Sequence, residues 1–118
     1  MRYILLFTIT LISLTFKANA LANARCTVLY SLHGNIAEDF EEQKQALSSQ
    51  IKRQGIQMQD LNDWQKTTLS GRERNQLRKA FNLPRQGNHI AILNHKGRLT
   101  QNMSEHIDLV DILMSCRD

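Results

Sequence analysis

Residues 26–32, Cys-Thr-Val-Leu-Tyr-Ser-Leu, form an apolar and β-branched run closed by His33-Gly34-Asn35. That pattern predicts a buried strand. The hydrophobic period then lengthens. Ile36, Phe40, Leu47 and Ile51 fall on one stripe while Glu41, Glu42, Lys44 and Lys52 lie elsewhere, which predicts an amphipathic helix. Asn35 followed by Glu38 matches a capping box that would open this helix, and Gly55 is placed to end it. Ile56, Met58 and Leu61 alternate with polar neighbours and predict a second strand. Trp64 follows in a polar connection and is expected to pack at the core or its rim. Ser70 and Glu73 form another capping box, opening a helix with Leu77, Ala80 and Phe81 inward. It must stop before Pro84, because the residue preceding a proline disfavours helix. His89 to Leu93 predicts a third strand. Asn94-His95-Lys96-Gly97 predicts a tight turn in which Gly97 takes positive φ, and Arg98 to Thr100 a short returning strand. Ser104 is expected to cap a last helix with Ile107, Val110, Leu113 and Met114 inward, a stripe widened by Leu109 and Ile112.

The order is β-α-β-α-β-β-α. A β-α-β start followed by a closing hairpin and helix is the thioredoxin-like layout: an α/β sandwich with a four-stranded mixed sheet and helices on both faces. The alternative is another small α/β sandwich with the same element order and different strand pairing. No internal repeat or low-complexity segment interrupts the chain.

The amino-terminal segment has a different character. Arg2 is followed by a nearly uninterrupted apolar run from Tyr3 to Phe16, then by the small-x-small triplets Ala18-Asn19-Ala20 and Ala22-Asn23-Ala24. This predicts a secretory signal peptide over residues 1–20, with an alternative cleavage after Ala24, and a single domain over 25–118. A membrane anchor would need about 20 apolar residues, and the run falls short. A lipoprotein would need a small residue before Cys26, where Arg25 stands. The expected location is therefore periplasmic or secreted, with no stable membrane span after signal cleavage. Processing also changes the charge. Of 15 basic residues, Arg2 and Lys17 leave with the signal, so 13 face 11 acids and the net charge falls from +4 to +2. The basicity of the whole chain is then weak support for a nucleic-acid partner, and none is expected.

Three segments carry a resemblance: Leu77-Arg78-Lys79-Ala80-Phe81-Asn82-Leu83, Ile90-Ala91-Ile92-Leu93-Asn94-His95-Lys96-Gly97 and Val110-Asp111-Ile112-Leu113-Met114-Ser115-Cys116-Arg117. Together they resemble a family of uncharacterised exported bacterial proteins with a thioredoxin-like, peroxiredoxin-related domain, which also occurs in animal extracellular-matrix and sushi-repeat proteins. The family shows a helix ending in Arg-x-x-Phe, a strand running into a Lys-Asp-Gly turn, and a last helix with an Asp-x-Met-Pro-Met-Arg-like end. Here the Asp of the turn is absent and Ser115-Cys116 departs from the helix end. The resemblance covers roughly the last 45 residues well and the first strand loosely. It implies a fold and brings no established activity.

In a thioredoxin-like fold, redox chemistry sits in the loop after the first strand, where a helix N-terminus lowers the pKa of a thiol. In this chain the loop is Ser31-Leu32-His33-Gly34-Asn35, without cysteine. The proline that precedes the third strand in such oxidoreductases has no counterpart either. His89 falls near that place and Pro84 lies several residues early, unless the register carries a gap. No catalytic residue is assigned.

Cys26 opens the first strand and Cys116 closes the last helix. In this layout the fourth strand runs parallel to the first, so the last helix returns toward the beginning of the first strand. A Cys26–Cys116 disulfide is expected, at the pole opposite the redox loop, in keeping with an oxidising compartment and an even cysteine count. Closing a loop of about 90 residues would contribute about 4–5 kcal/mol in the chain-entropy model. Free thiols or an intermolecular bridge are the alternatives.

His33, His89, His95 and His106 show no metal-ligand spacing, so no metal and no cofactor is expected. His33 and Asn35, at a helix N-terminus, are candidate binding residues for an anion or an acidic group. Arg72, Arg74 and Arg78, with Lys79 and Arg85 nearby, are further candidates for an anionic ligand, although such a run is more often a solvated face. The expected function is a non-catalytic binding or interaction module whose partner is an envelope or extracellular protein or an anionic ligand. The alternative is a thiol-disulfide or peroxide-handling protein using Cys26 and Cys116.

Overall fold

In the computed structural model, which describes residues 24–105 and 107–116, the sheet is built around β1 (Cys26–Ser31), all six residues of which are buried. The chain then forms α1 (Gly34–Ala46), α2 (Ser48–Arg53), β2 (Ile56–Asp60), a 3-10 turn (Trp64–Lys66), α3 (Gly71–Ala80), β3 (His89–Asn94), β4 (Leu99–Met103) and α4 (Leu109–Ser115). The predicted signal peptide lies outside the described residues, as do His106 and Arg117.

The four strands form one mixed sheet in the order β2-β1-β3-β4. β1 pairs in parallel with β2, Cys26 opposite Ile56, and antiparallel with β3, Ser31 opposite His89. β3 pairs antiparallel with β4, with an irregularity between Ile92 and Leu93. β4 therefore runs with β1, as the thioredoxin-like arrangement requires.

The period-two alternation of the central strands sorts the core into two layers. Val28, Tyr30, Ile90 and Ile92 face Phe40 of α1, Ile51 of α2, and Leu109, Ile112 and Leu113 of α4. Leu29, Ala91 and Leu93 face the other way, against Leu77 of α3 with Leu61, Leu69 and Leu83. Helices thus cover both faces of the sheet. Each fully buried aliphatic side chain contributes roughly 1.5–3 kcal/mol of transfer free energy, so each layer needs its helix to stay dry.

Several local expectations are met. Ser70 Oγ accepts from the Glu73 N–H and Glu73 Oε1 from the Ser70 N–H, the reciprocal capping box. α3 stops before Pro84 as expected, and it does so in a Schellman motif, with Asn82 in the left-handed region at φ 54 and the Leu83 N–H donating to the Arg78 carbonyl. The 94–97 turn is closed by the Gly97 N–H on the Asn94 carbonyl, with Gly97 at φ 77.

Other expectations are corrected. The Asn35–Glu38 box does not open α1. Gly34, at φ 61, lets the chain turn two residues earlier, so His33 takes the N-cap position without a side-chain cap and Asn35 falls inside the first turn. The expected single helix is two, joined at Leu47. Ile36 is 42% exposed, while its neighbour Ala37 packs against the core. Ala80 is exposed, so of the three apolar residues expected inward only Leu77 and Phe81 turn that way. β4 runs on to Met103, beyond the expected Thr100, so Ser104 cannot cap α4. Asp108 does so, its carboxylate accepting from the Val110 N–H. The later start rotates the buried face of α4 to Leu109, Ile112 and Leu113 and leaves Val110 49% and Met114 58% exposed. Trp64 does not pack. It is 69% exposed on a 3-10 turn capped by Asp63.

Candidate functional site

The sheet has two poles, and the cysteines occupy one of them. Cys26 at the start of β1 and Cys116 at the end of α4 form a disulfide, with Cα atoms 5.6 Å apart. The carboxyl ends of β1 and β2 and the beginning of β3 make the other pole, the usual place for a site in an open α/β sheet. There Leu32 and His33 lead into α1, Leu61 to Trp64 follow β2, and residues 82–88 lead into β3.

This second pole is organised by Arg78. Its side chain comes off the inward face of α3 and is buried, at 8% exposure. One terminal nitrogen donates to Ser31 Oγ at 3.1 Å and to the Leu83 carbonyl at 3.3 Å. The other donates to the Leu61 carbonyl at 2.8 Å and to Asn62 Oδ1 at 2.6 Å. Asn62 in turn accepts from Ser31 Oγ and donates to the Leu32 carbonyl. One guanidinium therefore ties α3 to the ends of β1 and β2. All its partners are neutral, and its Nε is buried without a hydrogen-bond partner among the described residues. Desolvation by burial is the largest influence on its pKa, followed by the nearby charges of Arg85 and Arg74. All three push it below the ordinary arginine value, and Asp60 opposes them. Asp60 itself accepts from the Asn62 and Asp63 N–H groups.

His33 is engaged rather than free. Its backbone N–H donates to Asn88 Oδ1 at 2.8 Å, and its Nε2 lies 2.6 Å from the Arg85 carbonyl. A carbonyl only accepts, so Nε2 carries the proton. The loop after β1 is thereby pinned to the loop before β3. The side chain of Arg85 donates to Asn75 Oδ1 on α3 at 2.8 Å. A cleft of about 490 Å³ opens beside this contact, lined by Asn75, Arg78, Lys79, Asn82, Pro84 and Arg85 among others.

The predicted binding residues are only partly brought together. Arg74 and Arg78 are one helical turn apart on α3, on the same side. Arg72 is about a third of a turn away and exposed. Asn35 is exposed on the first turn of α1. Arg78 corrects the solvated-face expectation at its own position, since acceptors from two distant segments, Ser31 and Leu61–Asn62, draw it inward together with the nearby Leu83 carbonyl. Asn62, Asn75 and Asn88, which hold the pole together, were not singled out by the sequence. The available signal was positional: Asn62 and Asn88 each sit at the mouth of a strand, where a side-chain amide can close the chain's open hydrogen bonds.

Among the described residues no group of three or more His, Cys, Asp or Glu side chains is placed to hold a metal ion. No helix among them is long and apolar enough to cross a membrane. A second groove, of about 630 Å³, runs along β2 between α1–α2 and residues 65–68, and Lys44, Lys52 and Lys66 line it. Two of these lysines are already paired with Glu41. Comparison of the chain with protein-family models, with curated proteins and with solved structures finds no match.

Proposed function

We propose that this chain is an exported binding module of thioredoxin-like architecture that turns over no substrate and works in the periplasm or outside the cell. The observation that carries this reading is where the sulfur lies. Both cysteines are joined at the pole of Cys26 and Cys116, and the loop after β1, where thiol exchange would take place, holds His33 and Gly34 instead. A nucleophilic thiol needs a helix N-terminus or a neighbouring cation to form its thiolate. Neither cysteine is at a helix N-terminus.

The partner is an envelope or extracellular protein or an anionic ligand, and it docks at the pole made by the carboxyl ends of β1 and β2. Three features support that placement: the arginines around α3, the pinned His33 loop, and exposed Trp64, a residue type enriched at binding hot spots. The disulfide suits an oxidising compartment, and the apolar run before Ala20 suits export. Membership in the exported family that residues 77–83, 90–97 and 110–117 resemble belongs to the same proposal.

Affinity capture from an envelope extract with the purified protein tests the reading. We expect a defined partner retained in stoichiometric amount and released by salt. Retention no greater than on a blank support, or retention unchanged when Arg74, Arg85 and Trp64 are replaced together, contradicts it.

A further inference from the structure

We infer that the cleft between the end of α3 and residues 82–85 binds a tetrahedral oxyanion, a phosphate or sulfate group, with Arg85 and Lys79 as its direct contacts. The inference deepens the binding-module reading and rests on it.

The first argument is uncompensated charge. Arg78 and Arg85 line the cleft together with Lys79, and Arg74 stands one turn back on the same side of α3. The ion pairs among the described residues join Lys44 and Lys66 to Glu41 and Asp63. None reaches these four cations. Arg78 is the most telling of them. A buried guanidinium ordinarily sits against a carboxylate, yet here its hydrogen bonds go to neutral oxygens only. Asp60 acts on it through space, but more weakly than Arg85 and Arg74 act against it, so its charge is dispersed and only partly offset at the cleft that it lines. The negative end of the α3 dipole amounts to about half a unit charge and does not offset four cations.

The second argument is preorganisation. Arg85 is held at both ends, its carbonyl by His33 Nε2 and its guanidinium by Asn75 Oδ1. An exposed arginine normally has many rotamers to lose on binding. One fixed in this way presents its remaining donors at little entropic cost. Asn82, held in the left-handed region by the Schellman motif, places a side-chain amide on the same rim. Donors from Arg85, Lys79 and Asn82 around one opening suit the oxygens of a tetrahedral anion.

The test is a titration of the purified protein with inorganic phosphate and, separately, with sulfate, against chloride at matched ionic strength. It is followed by NMR at the side-chain N–H groups of Arg85, Asn75 and Asn82. We expect saturable shifts confined to these groups with at least one of the two oxyanions and not with chloride. Affinity should fall about tenfold in Arg85→Gln and in Lys79→Gln and stay within about twofold in Lys96→Gln, on the exposed turn at the opposite pole, with melting temperature unchanged in all three. Shifts that follow ionic strength alone, or an Arg85→Gln affinity equal to that of the parent, overturn the inference. Partner capture that persists when phosphate and sulfate fail to bind would remove the oxyanion cleft and leave the binding-module reading standing. Oxyanion binding without any captured partner would do the reverse.

Discussion

Cys26, the first residue of β1, is bonded to Cys116, the residue that caps the end of α4, across 90 positions of sequence. The bond closes nearly the whole domain into one loop and fastens the last helix over the apolar layer that contains Val28, Tyr30 and Ile92. Its main effect is on the unfolded chain, whose freedom it restricts. Reduction, or the double change Cys26→Ala/Cys116→Ala, should lower stability by about 2–5 kcal/mol. Urea denaturation with and without reductant checks this, and coincident midpoints would rule out a stapling role.

Arg78 should matter for folding as well as for binding. Replacing it with Met removes the guanidinium donor from Ser31 Oγ and the carbonyls of Leu61 and Leu83, and leaves Asn62 Oδ1 with the Ser31 hydroxyl alone. The cost should be about 3 kcal/mol. Arg78→Lys should recover only part of it, because an ammonium cannot reproduce the planar fork. Denaturation midpoints of the two variants decide the matter, and a loss below about 1 kcal/mol for Met would mean that the network is dispensable.

The two faces of α4 give a sharp contrast. Leu109 and Ile112 are fully buried, and Val110 and Met114 are exposed. Leu109→Ala or Ile112→Ala should cost about 2–5 kcal/mol, while Val110→Ser and Met114→Ser should each stay within about 0.5 kcal/mol. Thermal melts of the four variants check the helix orientation. A large loss at Val110 would restore the stripe expected from the sequence.

Tyr30 should make the fold sensitive to alkaline pH. It is buried against Phe40, with Lys44 Nζ donating to its hydroxyl at 3.0 Å. Desolvation, then the charges of Asp60, Glu41 and Asp63, raise its pKa well above the ordinary value of 10.0. The native state therefore keeps a proton that the unfolded chain gives up. The stabilisation is complete below about pH 10 and is lost as pH climbs toward the native value, at about 1.4 kcal/mol per pH unit. Urea midpoints measured from about pH 8 to 11 should fall more steeply for the parent than for Tyr30→Phe. Parallel profiles would show that burial does not perturb the phenol.

The strands and their order were legible because β1 and β3 are covered on both faces, which leaves short, nearly continuous apolar runs bounded by turn residues. The Ser70–Glu73 box, the 94–97 turn and the cysteine pairing were legible for local or topological reasons. α4 was misplaced because Ser104 and Asp108 are equally good caps, and the extension of β4 through Gln101 and Asn102 has no apolar signature. The candidate site was less visible. Arg78 lies beside Leu77 on the inward face, but its burial is decided by Ser31, Leu61 and Asn62, which only the tertiary fold brings to it. Arg85 sits in a run that reads as solvated basic surface, and its anchoring by His33 and Asn75 is long-range in sequence.

The domain keeps a thioredoxin-like frame, and under the proposed function its cysteines serve as a staple and not as a catalyst. Insulin reduction, followed in the presence of a thiol reductant with and without the purified protein, tests it most directly. The rate should equal that of the reductant alone, for the parent and for Cys116→Ser alike. Turnover by the parent that Cys116→Ser abolishes would contradict it.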